Sequence, residues 1–102
     1  MAIDCRLETE KGETVETLRD PRGVLDQLIP PLADTRFHCW RFIDPYGDTV
    51  FNGMQMSQFI DELEIIIAAG IPDEASGVLD ELGRLAARCR REPHLYLKFY
   101  GD

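Results

Sequence analysis

The sequence predicts one α+β domain, a two-layer sandwich in which helices pack on one face of an antiparallel sheet of about four to five strands. Three observations support this fold class. Apolar and polar residues alternate near both ends of the chain, as they do in half-buried strands. Two stretches in the second half carry apolar residues at helical spacing. A chain of 102 residues suffices for one such core, with short connections in the order β-β-α-β-β-α-α-β.

The first third of the chain predicts two strands and a short helix. Apolar residues alternate with charged ones over 3–8, and a return strand over 14–18 follows a polar turn that contains glycine. Asp20 and Pro21 are a helix-start pair, the N-cap and the first helical residue. This helix ends before Pro30, because a residue that precedes proline is driven out of helical geometry.

The stretch FHCWRFIDPYGDTVFN, at 37–52, predicts a β-hairpin at the centre of the sheet. Its first strand, 37–43, carries apolar side chains on both faces, as a strand with a neighbour on each side does. The sequence DPYG at 44–47 has the residue types of a type I turn. The second strand, 49–52, would pair back along the first.

Two longer helices are predicted, over about 54–69 and about 73–91. On the first, the spacing places Asp61, Glu62 and Glu64 on the water-facing side of an apolar stripe. The second begins with acids and ends with arginines, and both complement the helix dipole.

The last strand, predicted over 94–100, gives the sheet two unlike faces. Its leucines and phenylalanine alternate toward the helices. The open face then carries Tyr96, Lys98 and Tyr100, which Arg6 of the first strand and, depending on register, Arg41 would join. Tyrosine and arginine are common at protein interfaces, so this face is a candidate homodimer surface.

Charge is unevenly distributed in this chain, whose net charge is −8. From Phe42 to Gly83 there is no lysine or arginine but there are nine acids, and four arginines follow within the next eight residues. The negative balance disfavours nucleic acid and anionic membranes, because both repel acidic surfaces. It favours a basic protein partner, although charge of this kind more commonly forms a solvated surface.

We therefore predict a non-enzymatic protein-binding domain that offers an acidic surface to a basic protein. The predicted binding residues are Asp44, Tyr46, Asp48, Asp61, Glu62 and Glu64. One alternative is a small-ligand-binding protein or an enzyme, with a pocket between sheet and helices near His38 and Trp40. A further alternative is a homodimer that uses the Tyr96 and Tyr100 face.

No residue pattern predicts catalysis, a metal or a cofactor. Cys5, Cys39 and Cys89 form no CxxC pair and lie at apolar positions, where thiols usually behave as small hydrophobes. Together with two histidines they lack the paired spacing of a zinc site. Neither serine lies in a GxSxG elbow, and the glycines form no phosphate-binding loop.

The chain also lacks the sequence features of export or membrane insertion. No apolar run approaches the roughly 20 residues that a membrane helix needs. The opening residues contain an acid and no apolar stretch of signal-peptide length. Reduced thiols suit a reducing compartment, so we expect a cytoplasmic protein.

Two stretches, RFIDPYGDTVFN at 41–52 and HLYLKFYGD at 94–102, resemble a family of small uncharacterised bacterial proteins. That resemblance implies no particular activity. In size and acidity the chain is also similar to bacterial immunity proteins, which neutralise basic toxins. This second resemblance implies a basic protein as the partner, and it assigns no individual residue to a site.

Overall fold

The computed structural model describes residues 3–101 and shows an α+β fold with a four-stranded antiparallel sheet. The elements in chain order are β1 (Asp4–Thr9), β2 (Thr14–Leu18), α1 (Val24–Leu28), β3 (Asp48–Asn52), α2 (Met56–Ala68), α3 (Ser76–Arg91) and β4 (Leu95–Tyr100). Single 3-10 turns occur at Trp40–Phe42, Gly53–Gln55 and Asp73–Ala75. The predicted fold class is confirmed.

The sheet has the strand order β2-β1-β4-β3, and each neighbouring pair is antiparallel. Strand β4 therefore lies inside the sheet, although it comes last in the chain. In register, Leu97 lies opposite both Leu7 and Phe51, and all three side chains are buried. The alternating burial along β4 confirms the two faces that the sequence predicts.

The core lies between the sheet and the two longer helices. The centroid of the Phe59 ring on α2 lies 5.0 Å from that of Trp40, 5.5 Å from that of Phe51 and 5.9 Å from that of Phe99. The buried side chains of α3 are Leu79, Leu82, Leu85, Ala86 and Cys89. No helix within residues 3–101 is long and apolar enough to cross a membrane.

The prediction of a strand over 37–43 is wrong. This segment has no strand partner, and β3 pairs with β4 instead. The backbone N–H groups of His38, Cys39 and Trp40 donate to the carboxylate of Glu62, a side chain more than 20 residues away in sequence. Amides that are bound to a carboxylate cannot join a strand ladder, so the chain turns here.

The first helix begins later than predicted. It starts at Val24 rather than at Pro21, and the Asp20 carboxylate accepts the N–H groups of Val24 and Leu25 at 3.0 and 2.9 Å. Gly23 makes this possible because it takes a left-handed conformation, with φ of 64°. Asp20 still caps the helix, but from one turn upstream.

Candidate functional site

The turn at 44–48 is held in one shape by hydrogen bonds. The Asp44 carboxylate accepts the N–H of Tyr46 at 2.9 Å, and the Asp44 N–H donates to Thr49 Oγ1 at 2.9 Å. The N–H of Gly47 donates to the Asp44 carbonyl at 3.5 Å, which confirms the predicted turn. A Cβ atom at Gly47 would lie 2.8 Å from the Asp44 carboxylate, so a larger residue there would displace that side chain.

The chain just beyond β4 fixes this turn to the sheet. The N–H of Gly101 donates to the Gly47 carbonyl at 2.8 Å. The packing is so close that a Cβ atom at Gly101 would lie 2.4 Å from the carbonyl atoms of Pro45. The turn is therefore attached to the interior strand of the sheet.

This rigid turn presents an aromatic ring close to two carboxylates. The Tyr46 side chain is 71% exposed, and Asp44 and Asp48 are exposed as well. Neither carboxylate forms an ion pair with another residue in the described part of the chain. An exposed tyrosine beside unpaired acids fits a cationic protein surface, because aromatic anchors supply contact area and complementary charge sets orientation.

The six predicted binding residues do not share one element. Asp44, Tyr46 and Asp48 lie together on the turn, in the sheet layer. Asp61 and Glu64 are exposed on α2, in the helical layer. The structure therefore offers the acidic turn as a compact site and α2 as a second acidic surface.

The expectation that Glu62 faces water is wrong. Its side chain is fully buried, with 0% exposure. The carboxylate accepts the backbone N–H groups of His38, Cys39 and Trp40 at 2.8, 3.0 and 2.9 Å, and the side-chain amide of Gln58 at 2.7 Å. These four donors replace water, which is the condition under which a buried carboxylate is tolerated. Glu62 therefore organises the 38–40 segment and is not available to a partner.

A positional signal for Glu62 exists in the sequence. It follows Phe59 by three residues and precedes Ile66 by four, so it lies within the helix stripe that these buried residues define. Its acidic type alone led to the expectation of exposure. The donors that it binds are backbone groups, and no side-chain pattern reveals them.

The open face of the sheet lies opposite the helical layer. Lys98 lies beside Arg6 in register, and Asp48 lies beside Tyr100. The guanidinium carbon of Arg6 lies 4.8 Å from the centre of the Tyr100 ring, and Lys98 Nζ lies 4.9 Å from it. The register therefore confirms that Tyr96, Lys98, Tyr100 and Arg6 share this face, whereas the prediction for Arg41 is wrong because that residue lies in a 3-10 turn outside the sheet.

A buried acid lies on the same open face. Glu8 is only 4% exposed and accepts a hydrogen bond from the Tyr100 hydroxyl. Burial, followed by this hydrogen bond, raises the pKa of Tyr100. The hydrogen bond to Tyr100 raises the pKa of Lys98, with smaller contributions from Glu8 and Asp48. The polar side chains of this face therefore interact with one another, and the members are Glu8, Asp48, Lys98 and Tyr100.

The pocket predicted beside Trp40 is filled. The indole is 1% exposed, stacks on Phe59 and donates from Nε1 to the Phe59 carbonyl at 3.1 Å. The space between Trp40 and its neighbours Leu25 and Phe99 does not admit a water molecule. His38 is exposed on the surface. A small ligand would therefore need a different pocket.

The three cysteines are buried in the core as free thiols. Cys5 and Cys89 are fully buried and Cys39 is 4% exposed. Burial raises the pKa of all three thiols, to about 11 for Cys39 and Cys89, and the charge of Glu62 adds to the effect at Cys39. Within residues 3–101, no group of three or more His, Cys, Asp and Glu side chains is arranged to hold a metal ion.

No protein-family model, curated protein or solved structure matches this chain.

Proposed function

We propose that this protein is a non-enzymatic protein-binding domain, immunity-like in role, that receives a basic protein on the turn at 44–48. The observation that supports this most directly is the rigid turn itself, with Tyr46 exposed between Asp44 and Asp48. A turn that is already fixed loses little conformational entropy when a partner binds. Within residues 3–101 neither carboxylate forms an ion pair, although the charge of Asp48 acts on Lys98 across the sheet.

The thiol environment fits a binding role better than covalent catalysis. A cysteine nucleophile needs an accessible thiolate with a lowered pKa. All three thiols have raised pKa values and are buried. The proposal therefore places function on the surface of the domain.

The test is affinity capture from the native lysate with the tagged protein, at low and at physiological salt. We expect the wild type to retain a basic protein, with more retained at low salt because charge steers the association. The double variant Asp44→Asn, Asp48→Asn and the single variant Tyr46→Ala should each lose it. The recovered partner is then purified, and its affinity for each variant is measured by calorimetry.

A matched control tests whether binding depends on the acids of the turn or only on the net negative charge of the protein. The double variant Asp61→Asn, Glu64→Gln removes the same two charges from α2, so both double variants have a net charge of −6 in place of −8. We expect this control to retain the partner. Equal loss in the two double variants would show a non-specific charge effect, and loss in the α2 variant alone would move the site to the helix.

A homodimer through the open sheet face is the second candidate. It is favoured by one observation: Arg6 and Lys98 stack on Tyr100 beside the exposed Val50, and with Glu8 and Asp48 they give this face charges of both signs in a strongly acidic protein. Two copies could approach there with little repulsion. Light scattering at micromolar concentration should then give twice the monomer mass for the wild type, and the monomer mass for Val50→Asp. A wild-type monomer mass would exclude this candidate.

A further inference from the structure

A groove beside the acidic turn contains an arginine that forms no ion pair within residues 3–101. The groove has a volume of about 370 Å³ and lies between the 29–32 segment and the 41–45 segment. Its walls include the side chains of Leu32 and Phe42, which are 64% and 51% exposed. Arg41 also lines it and is half-buried.

The Arg41 guanidinium is held in place by weak partners only. Nη1 donates to the Leu32 carbonyl at 3.0 Å, and the guanidinium carbon lies 4.6 Å from the centre of the Phe42 ring. Nε is buried and has no hydrogen-bond partner. A buried polar atom without a hydrogen-bond partner is costly, and an orphaned atom of this kind requires an explanation.

Four other arginines have carboxylate partners among the described residues. The ion-paired ones are Arg22, Arg36, Arg84 and Arg88. The acid nearest in sequence on one side, Asp34, is bound by Arg36 through two side-chain hydrogen bonds, and Arg41 is the smallest cause of its lowered pKa. Asp44, on the groove wall, uses its carboxylate for the Tyr46 N–H. Among residues 3–101, Arg41 therefore forms no ion pair, although its charge contributes to the lowered pKa of Asp34.

We propose that this groove binds a peptide segment of a partner protein in which a carboxylate side chain lies between apolar residues. The carboxylate neutralises the Arg41 guanidinium from the groove side, and the apolar neighbours cover Leu32 and Phe42. Arginine that is already oriented and set among apolar side chains is typical of residues that dominate interface affinity. This inference does not depend on the basic partner proposed above, because it concerns the positive charge of Arg41, although Asp44 and Pro45 belong to both the turn and the groove wall.

The probes are two capped tripeptides, acetyl-Leu-Glu-Leu-amide and acetyl-Leu-Gln-Leu-amide, titrated into the isotope-labelled full chain and followed by NMR. The Glu peptide should shift the Arg41 Nε–H resonance and the backbone amides of Leu32 and Phe42 in a saturable way. The Gln peptide should bind about tenfold more weakly, because a hydrogen bond to a charged group is lost.

Two variants assign the charge effect to Arg41. Arg41→Gln should remove the difference between the peptides, whereas Arg36→Gln, a matched loss of an exposed arginine on the same segment, should keep it. If Arg41→Gln fails to fold, the double variant Leu32→Ser, Phe42→Ser should weaken both peptides and leave their ratio unchanged.

Three outcomes overturn the proposal. The first is equal affinity of the two peptides for the wild type. The second is no saturable shift at Arg41 or Phe42 up to about 10 mM peptide, an affinity too weak for any specific site. The third is a Glu-to-Gln difference that persists in Arg41→Gln.

Discussion

The 37–43 segment and the α2–α3 helical pair are both ordered, but by different means. In the helical pair, apolar contact is spread over many side chains, with Phe59, Leu82 and Leu85 fully buried among them. In the 37–43 segment, three consecutive backbone amides donate to the single carboxylate of Glu62. Order that is spread over many contacts degrades gradually on mutation, whereas order that depends on one side chain is lost with that side chain.

The largest effect is expected from Glu62→Ala. Losing the carboxylate leaves three backbone N–H groups and the Gln58 amide without their acceptor, so we expect the free energy of unfolding to fall by about 4 kcal/mol. Urea denaturation measures this loss. Hydrogen exchange should also show that the amides of residues 38–40 lose protection before those of the sheet.

The control for this prediction is two residues away. Glu64→Ala removes an exposed acid from the same helix and should change stability by no more than about 0.5 kcal/mol. Similar losses in the two variants would mean that Glu62 does not organise the 38–40 segment.

A loss of about 3 kcal/mol is expected for Leu82→Ala, because it leaves a cavity in fully buried packing between α3 and the rest of the core. Here the protection of the 38–40 amides should fall only as far as global stability falls. Denaturation and hydrogen exchange on the same sample test this. If the 38–40 amides lost protection before the rest of the protein in this variant as well, that loss could not be attributed specifically to Glu62.

The smallest effect is expected at Glu16, which joins β2 to α3 by ion pairs with Arg84 and Arg88. The hydrogen bonds from these arginines lower the pKa of Glu16 from 4.5 to about 2. Because the pKa is lowered in the folded state, the stabilisation is complete above pH 4.5 and is lost as the pH falls toward 2. Solvent screens the pair, so we expect Glu16→Gln to cost about 1 kcal/mol at pH 7.

Urea denaturation at pH 7 and at pH 2.5 checks this expectation. The difference between the wild type and Glu16→Gln should shrink at the lower pH. Glu13→Gln, in the neighbouring turn, should show no such pH-dependent difference. A difference at Glu16 that grows on acidification would contradict the assigned direction of the pKa shift.

The sequence correctly predicts the elements in which the pattern of apolar and polar side chains follows burial on one face. The leucines of β4 alternate with Tyr96 and Lys98, and the stripe of α3 repeats at helical spacing, because burial on one side selects these residue types. The turn at 44–47 was predictable for the same local reason, since Asp, Pro and Gly each favour one turn position.

The strand prediction for 37–43 is wrong because its side chains alternate as they do in a strand, whereas its backbone N–H groups bind Glu62. Phe37 and Cys39 are buried and His38 is exposed, which is the alternation of a strand. Trp40 is buried too, and the deciding contacts run from backbone N–H groups to Glu62. Hydrogen bonds from the backbone to a distant side chain produce no periodic pattern of residue types in the sequence.

The candidate site was predictable in part. The turn residues Asp44, Tyr46 and Asp48 are exposed together, as their residue types indicate. The prediction that Glu62 is exposed is wrong because an acidic residue is not necessarily exposed when backbone N–H groups bind its carboxylate. The Arg41 groove was not foreseeable, because its walls come from two loops whose approach depends on tertiary packing.

The position of β4 has a consequence for how the chain is made. Strands β1 and β3 meet only through β4, so nascent β1 and β3 emerge from the ribosome without the strand that joins them. The edges of β1 and β3 that pair with β4 stay open until Leu95–Tyr100 is synthesised, and the sheet then closes through contacts between distant parts of the sequence. During synthesis, chaperones can therefore bind these unpaired strand edges until β4 has been made.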